Sequence, residues 1–138
     1  MRLVLDTDVM VAALRSPTGA SRWLLKAALG NRIATVVSVP LILEYEAVLT
    51  RPEHLAFSKL TETEVIEIID AIATVSIHAR LSFRWRPLLS DANDDMVLET
   101  AINGGAGLLV TFNIRDFGSV GESFGCRAVL PREAKALV

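Results

Sequence analysis

The chain has 138 residues, 51% of them hydrophobic and 22% charged, which suits one domain over residues 1–138 with a sizeable core and excludes an intrinsically disordered segment. A formal net charge of −2 gives no global argument for nucleic-acid binding. Arg suits phosphate recognition, but the excess of eleven Arg over three Lys reads first as a matter of composition. The one cysteine, Cys126, can close no internal disulfide, which fits a reducing, cytoplasmic compartment, and its apolar surroundings mark it as a small core residue. Asp6 interrupts the opening apolar run too early for a signal peptide, so none is expected. The longest apolar-rich run, Ile33 to Leu43, is much too short to cross a bilayer, so no membrane partner is expected.

In chain order, Leu3, Val4 and Leu5 form a short apolar run that stops at Asp6-Thr7-Asp8. Apolar residues then resume at helical spacing, which predicts a strand buried on both faces and a short helix over Val9 to Leu14. Ser16 to Gly19 is a turn, and Ala20 to Leu29 is an amphipathic helix closed by Gly30. Ile33 to Val39 is a second, β-branched strand, and Pro40 suits the first turn of a helix that carries Glu44. Arg51 to His54 breaks the pattern. Thr61 to Glu64 resembles a capping box for a helix over Glu62 to Val75, with Val65, Ile68, Ile69 and Ile72 on its apolar face.

Ser76 to Ala79 is a third strand, and Arg84 to Pro87 a loop. Ser90 to Asp95 forms an acidic turn ahead of a helix that starts near Met96 and ends at Gly104-Gly105. Leu108 to Thr111 is a fourth strand, Arg127 to Leu130 a fifth, and Pro131 opens a last helix. Strands alternating with helices predict an α/β fold with a parallel sheet between helices.

Of seven aspartates, only Asp70 lies inside a predicted helix. Asp6, Asp8, Asp91, Asp94, Asp95 and Asp116 all fall between a strand or loop and the next helix. In a parallel sheet those junctions share the rim at the strands' carboxyl ends, where ligands bind. Glu44 and Asn113 fall on the same side. A lone Asp before a helix usually caps it, a reading that suits Asp8 better than Asp6. Convergence has to be compensated, since two carboxylates ~4 Å apart repel by roughly 4 kcal/mol at an effective dielectric near 20. A raised pKa or a bound cation supplies that compensation. Oxygen ligands suit Mg²⁺ or Mn²⁺. Zinc is not expected, because Cys126, His54 and His78 fall away from the rim. A carboxylate-held divalent ion is suited to phosphoryl transfer, since it activates water and stabilises the leaving oxygen.

With these residues in hand, the chain resembles the PIN-domain nucleases, especially the toxins of VapC-type toxin–antitoxin pairs. Val4-Leu5-Asp6-Thr7-Asp8-Val9 looks like the family's strand-ending Asp-Thr-Asn segment. Ser38-Val39-Pro40 through Leu43-Glu44 looks like the second strand and the helix that carries the family's Glu. Asp91 to Leu98 is similar to an acidic segment of one PIN subgroup, and Leu109 to Asn113 with Asp116-Phe117 is similar to the final motif. The resemblance implies a three-layer α/β/α fold whose five-stranded parallel sheet has the order 3-2-1-4-5. It implies metal-dependent cleavage of RNA that leaves a 5′-phosphate and a 3′-hydroxyl.

Carried over residue by residue, Asp6, Glu44 and Asp95 are the core metal-binding acids. The fourth position falls at Asn113, with Asp116 one helical turn on, and Asp94 is an additional ligand candidate. Thr7 and Thr111 are hydrogen-bonding candidates. Arg15, Arg22 and Arg115 are candidates for holding the RNA backbone. Asp8 replaces the commoner Asn, and Asn113 stands where many relatives have Asp. The implied partners are an RNA substrate, a small antitoxin and a second copy of the chain in a homodimer.

Three other functions compete. In a haloacid-dehalogenase-like phosphatase Asp6 would be a covalent nucleophile, with Ser38 and Asp94-Asp95 in supporting roles. That reading lacks a suitably placed Lys and leaves Glu44 and Asn113 to Asp116 idle. A PIN-like module that binds RNA or protein without cutting is the second. A receiver-like phosphoacceptor domain, also short of its Lys, is the third.

Overall fold

The computed structural model describes residues 1–81 and 92–138. The opening apolar run forms β1 (Arg2–Leu5), with Leu3 and Val4 fully buried and Leu5 nearly so. Such residues have both faces covered, as a central parallel strand requires. Strands β2 (Ala34–Val37), β3 (Ile77–His78), β4 (Leu108–Val110) and β5 (Arg127–Val129) join it in one sheet of order β3-β2-β1-β4-β5. Every pairing is parallel, with Leu3 beside Thr35 on one flank and beside Leu108 on the other. The expected fold and strand order are therefore the observed ones.

The chain builds outward from β1 in one direction through β2 and β3, then returns to place β4 and β5 on β1's other flank. The β1/β4 boundary is the switch point of the sheet, where α/β proteins place ligands beyond the strands' carboxyl ends. Helices α1 (Thr7–Arg15), α2 (Ala20–Leu29), α3 (Val39–Leu49) and α5 (Glu62–Val75) pack on one another, with α4 (Pro52–Ser58) against α1. Helix α6 (Ala92–Asn103) packs over β1, β2 and β4. The short α7 (Ile114–Phe117) and a 3₁₀ turn at Val120–Phe124 lie beside α6, and α8 (Pro131–Leu137) packs on α2.

Local chemistry explains several of these bounds. The Thr61 hydroxyl accepts from Glu64 N–H while Glu64 accepts from Thr61 N–H, so α5 begins at its expected position. Val65, Ile69 and Ile72 are buried on that helix. Ser38 caps α3 by accepting from Leu41 N–H and lies 2.7 Å from the Thr100 hydroxyl. Thr100 donates its own proton to Met96 O, so Ser38 is the donor to Thr100, and the pair ties α3 to α6.

Four expectations are corrected. The break at Arg51 to His54 is the start of α4, because Pro52 fits the first helical turn as well as it fits a break. The helix after the acidic stretch starts earlier than expected: α6 begins at Ala92, so Asp94 and Asp95 belong to its first turn. Likewise α1 begins at Thr7 and takes in Asp8, and Asp116 lies in α7, so these acids are not in connecting segments. Acidic residues favour first helical turns because the N-terminal end of the helix dipole is positive. Asp91 and the Arg84 to Pro87 loop lie outside the described residues.

Among the described residues no helix is long and apolar enough to cross a membrane. Cys126 is buried, as expected, and burial pushes its thiol up to about 11.

Candidate metal and phosphodiester site

The site grows from the end of β1. Asp6 follows Leu5 directly, is 7% exposed, and is the N-cap of α1: its Oδ1 accepts from Thr7 N–H at 2.8 Å. Across the switch point, Thr111 follows β4, and its hydroxyl donates to Asp6 Oδ2 at 2.8 Å. A backbone bond from Asp6 N–H to Val110 O, 2.9 Å, holds the two strand ends together. Both oxygens of Asp6 are thus oriented by its neighbours. Tyr45, buried on α3, donates from its hydroxyl to Leu5 O at 2.5 Å and braces the same strand end from behind.

Asp8 faces the segment after β4. Its Oδ2 accepts from Phe112 N–H at 3.1 Å and from Asn113 Nδ2 at 3.0 Å. Its other oxygen, Oδ1, is buried and has no hydrogen-bond partner among the described residues. Capping therefore belongs to Asp6, and Asp8 bridges to the β4–α7 segment, the reverse of the expected division.

Electrostatics draw the acids into one group. Burial, and next the Asp8 carboxylate, push the Asp6 pKa up to about 6. The Thr111 hydroxyl and Thr7 N–H pull it back, and Asp116 adds a smaller push upward. Asp8 is raised as well, chiefly by burial, with Asp94 adding to the rise and the Phe112 N–H opposing it. Asp6, Asp8, Asp94 and Asp116 therefore share one field. The donors are all oxygens, and one buried carboxylate oxygen is unsatisfied, which fits a hard divalent cation and no thiol or imidazole chemistry. Among the described residues no three His, Cys, Asp or Glu side chains are drawn together as a closed set of ligands.

The remaining expected residues are placed as follows. Asp95 is buried in the first turn of α6 and Asp94 beside it is half-buried. Glu44 is half-buried on α3, next to Tyr45. Asn113 precedes α7 and its N–H donates to the Thr111 hydroxyl at 3.0 Å. Asp116 is exposed and lines, with Asn113 and Arg115, an open depression of about 360 Å³.

Two of the three arginine candidates serve structure. Arg22 donates to Ala13 O and Leu14 O at the end of α1. Arg15 donates to His54 Nδ1 at 3.0 Å and lies 4.2 Å from the centre of the Phe57 ring. Arg115 alone borders the site. His54 and His78 are occupied elsewhere, the latter by Ala73 O at 2.7 Å.

Glu99, 1% exposed on α6, is a buried acid that none of the sequence motifs singles out. It follows Asp95 by four residues, and that spacing places both on one side of the helix, the signal that would have found it. Ser38, which a phosphatase would need free at its rim, is 1% exposed and its hydroxyl is taken by Thr100 and Leu41 N–H.

A family model described as "PIN domain" matches residues 2–115. Among solved structures the chain is similar to VapBC2 from Rickettsia felis, in a crystal structure bound to a DNA fragment from its promoter. The TM-score is 0.62 at 17% identity, covering 94% of this chain and 98% of that one. At that identity the likeness speaks for the fold. No curated protein sequence matches the chain.

Proposed function

Since the chain belongs to the PIN-domain family, we propose that it is a divalent-metal-dependent endoribonuclease that works at the rim around Asp6. The observation that carries this reading is the state of Asp6. A carboxylate at the switch point is oriented on both oxygens, yet burial and the Asp8 and Asp116 charges hold its pKa near 6. A cation relieves that repulsion.

Asp6, Glu44, Asp95 and Asp116 are the proposed catalytic acids. Asp94 and Asn113 are the further metal-binding candidates, and Asp8 joins them through its unsatisfied oxygen. When bound, Mg²⁺ or Mn²⁺ supplies a water nucleophile at neutral pH and neutralises charge at the phosphate. The protein's own residues hold the geometry. Thr7 N–H and Thr111 Oγ1 fix the Asp6 carboxylate, and Phe112 N–H and Asn113 fix Asp8. Arg115, which lines the open depression, is the proposed contact to a phosphate of the strand. With a net charge of −2, affinity for RNA has to come from such local contacts.

The reading extends to a toxin restrained by an antitoxin and acting as a homodimer. The structural likeness to VapBC2 supports the antitoxin part of this reading. The direct test incubates purified protein with cellular RNA in Mg²⁺, Mn²⁺ or EDTA, beside Asp6→Asn and Asp95→Asn. Metal-dependent cuts with 5′-phosphate and 3′-hydroxyl ends, absent from both variants, are expected. Undiminished cutting by Asp6→Asn would sink the mechanism. Metal binding with no cutting of any RNA would favour a binding module.

A further inference from the structure

A second depression, of about 490 Å³, is also lined by Phe112. Its volume falls within the ~300–1,000 Å³ typical of small-molecule sites. The two depressions share Phe112, whose side chain is 49% exposed and whose N–H donates to Asp8. The first turn of α2 forms one wall. Gly19 caps that ten-residue helix without a side-chain hydrogen bond, so among the described residues no side chain satisfies its leading N–H groups. The start of α8 opposite differs, because Glu133 accepts from Leu130 N–H there.

Ser21, in the first turn of α2, lines the same depression. It is 4% exposed, and its hydroxyl makes no hydrogen bond among the described residues. Arg132 stands at the edge with its side chain exposed. Leu130, Pro131 and Ala12 supply apolar walls. A helix N-terminus, the Ser21 hydroxyl on the depression's wall and a guanidinium together suit an oxyanion. An exposed aromatic ring next to them suits a flat base.

We propose that this depression is a nucleotide subsite. In it a phosphate sits at the α2 N-terminus with Ser21 and Arg132, and the attached base stacks on Phe112. The nucleotide belongs to the RNA strand flanking the bond to be cut, so the proposal rests on the ribonuclease reading for its biological ligand, and Phe112 is the divider between subsite and cutting site.

The test is a titration of the full-length, ¹⁵N-labelled chain in EDTA, followed by amide NMR shifts. The probes are a 5′-phosphorylated dinucleotide and, separately, inorganic phosphate. The dinucleotide is expected to shift the Ala20 and Ser21 amides and to bind more tightly than phosphate. Phe112→Ala and Arg132→Ala, both at exposed side chains, should each weaken it by roughly tenfold. Equal affinity for phosphate and dinucleotide overturns the base contact and leaves an anion site only. No shift of those amides with either probe overturns the subsite and leaves the groove to a polypeptide. EDTA separates this outcome from the nuclease reading. Shifts in a protein that cuts no RNA sink the nuclease and keep the subsite, whereas cutting without shifts does the reverse.

Discussion

Asp6 ends β1, caps α1 and receives the Thr111 hydroxyl across the switch point. Its protonation therefore touches both folding and the proposed chemistry. Asp6→Asn keeps an oxygen for the Thr7 cap and removes a charge that burial and Asp8 oppose. It is expected to abolish cleavage while the metal-free protein melts at a higher temperature near pH 7, as scanning calorimetry would show. Thr111→Val removes the hydroxyl that orients Asp6. With Asp6 as the proposed metal ligand, loss of this partner should lower metal affinity or activity by about 10–100-fold with the fold intact.

The acids themselves were readable from their place after apolar runs. Their division of labour was not, because a cap and a cross-loop bridge look alike when only Asp6-Thr7-Asp8 is known. The hydrogen bond from Asn113 to Asp8 links residues 105 positions apart, a pairing that no local pattern announces. Arg15 and Arg22 misled for the same reason. Proximity to a motif in sequence said nothing about the carbonyls and the imidazole that occupy them.

Among the elements, α2 and α5 start and stop where their punctuation says, at Gly30 for the one and at the Thr61–Glu64 capping box for the other. Helices α4 and α7 were missed because they are short, and Pro52 and Asn113 serve equally well in loops. The end of α6 depends on a close approach. A Cβ on Gly104 would fall 2.2 Å from Val36 Cγ1, so only glycine lets α6 turn past β2 toward β4. Gly104→Ala is expected to destabilise the protein by about 1–3 kcal/mol, the range of overpacked cores, as read by urea unfolding. Stability unchanged in that variant would mean that β2 and α6 are more loosely packed than these contacts imply.

At the scale of the whole molecule, alternation of apolar strands with amphipathic helices carried the fold class. The order 3-2-1-4-5 came with the family resemblance, since periodicity alone does not say on which flank of β1 the fourth strand lies. That return to β1 builds the candidate site, because it brings Thr111 and Asn113 to Asp6 and Asp8.

The same crowding makes global stability depend on pH. Asp6 is held near 6 in the folded protein against an ordinary value of 3.8. Its folded-state value is the higher one, so its contribution favours the fold at low pH and is lost as pH rises through about 6. Asp8 is shifted in the same direction. The Asp6 shift corresponds to roughly 3 kcal/mol. Metal-free protein should therefore melt several degrees higher at pH 5 than at pH 7.5, with a smaller difference in Asp6→Asn. A wild-type melting temperature that rises with pH over that window would contradict this electrostatic picture.

The most direct measurement is calorimetric titration of Mn²⁺ into the wild type and Asp6→Asn near pH 6, in buffers of different ionisation enthalpy. The wild type should bind Mn²⁺ and release protons as Asp6 gives up its share, and Asp6→Asn should show neither effect. No binding by the wild type, or equal binding with equal proton release in the variant, would mean that the rim around Asp6 is not a cation site.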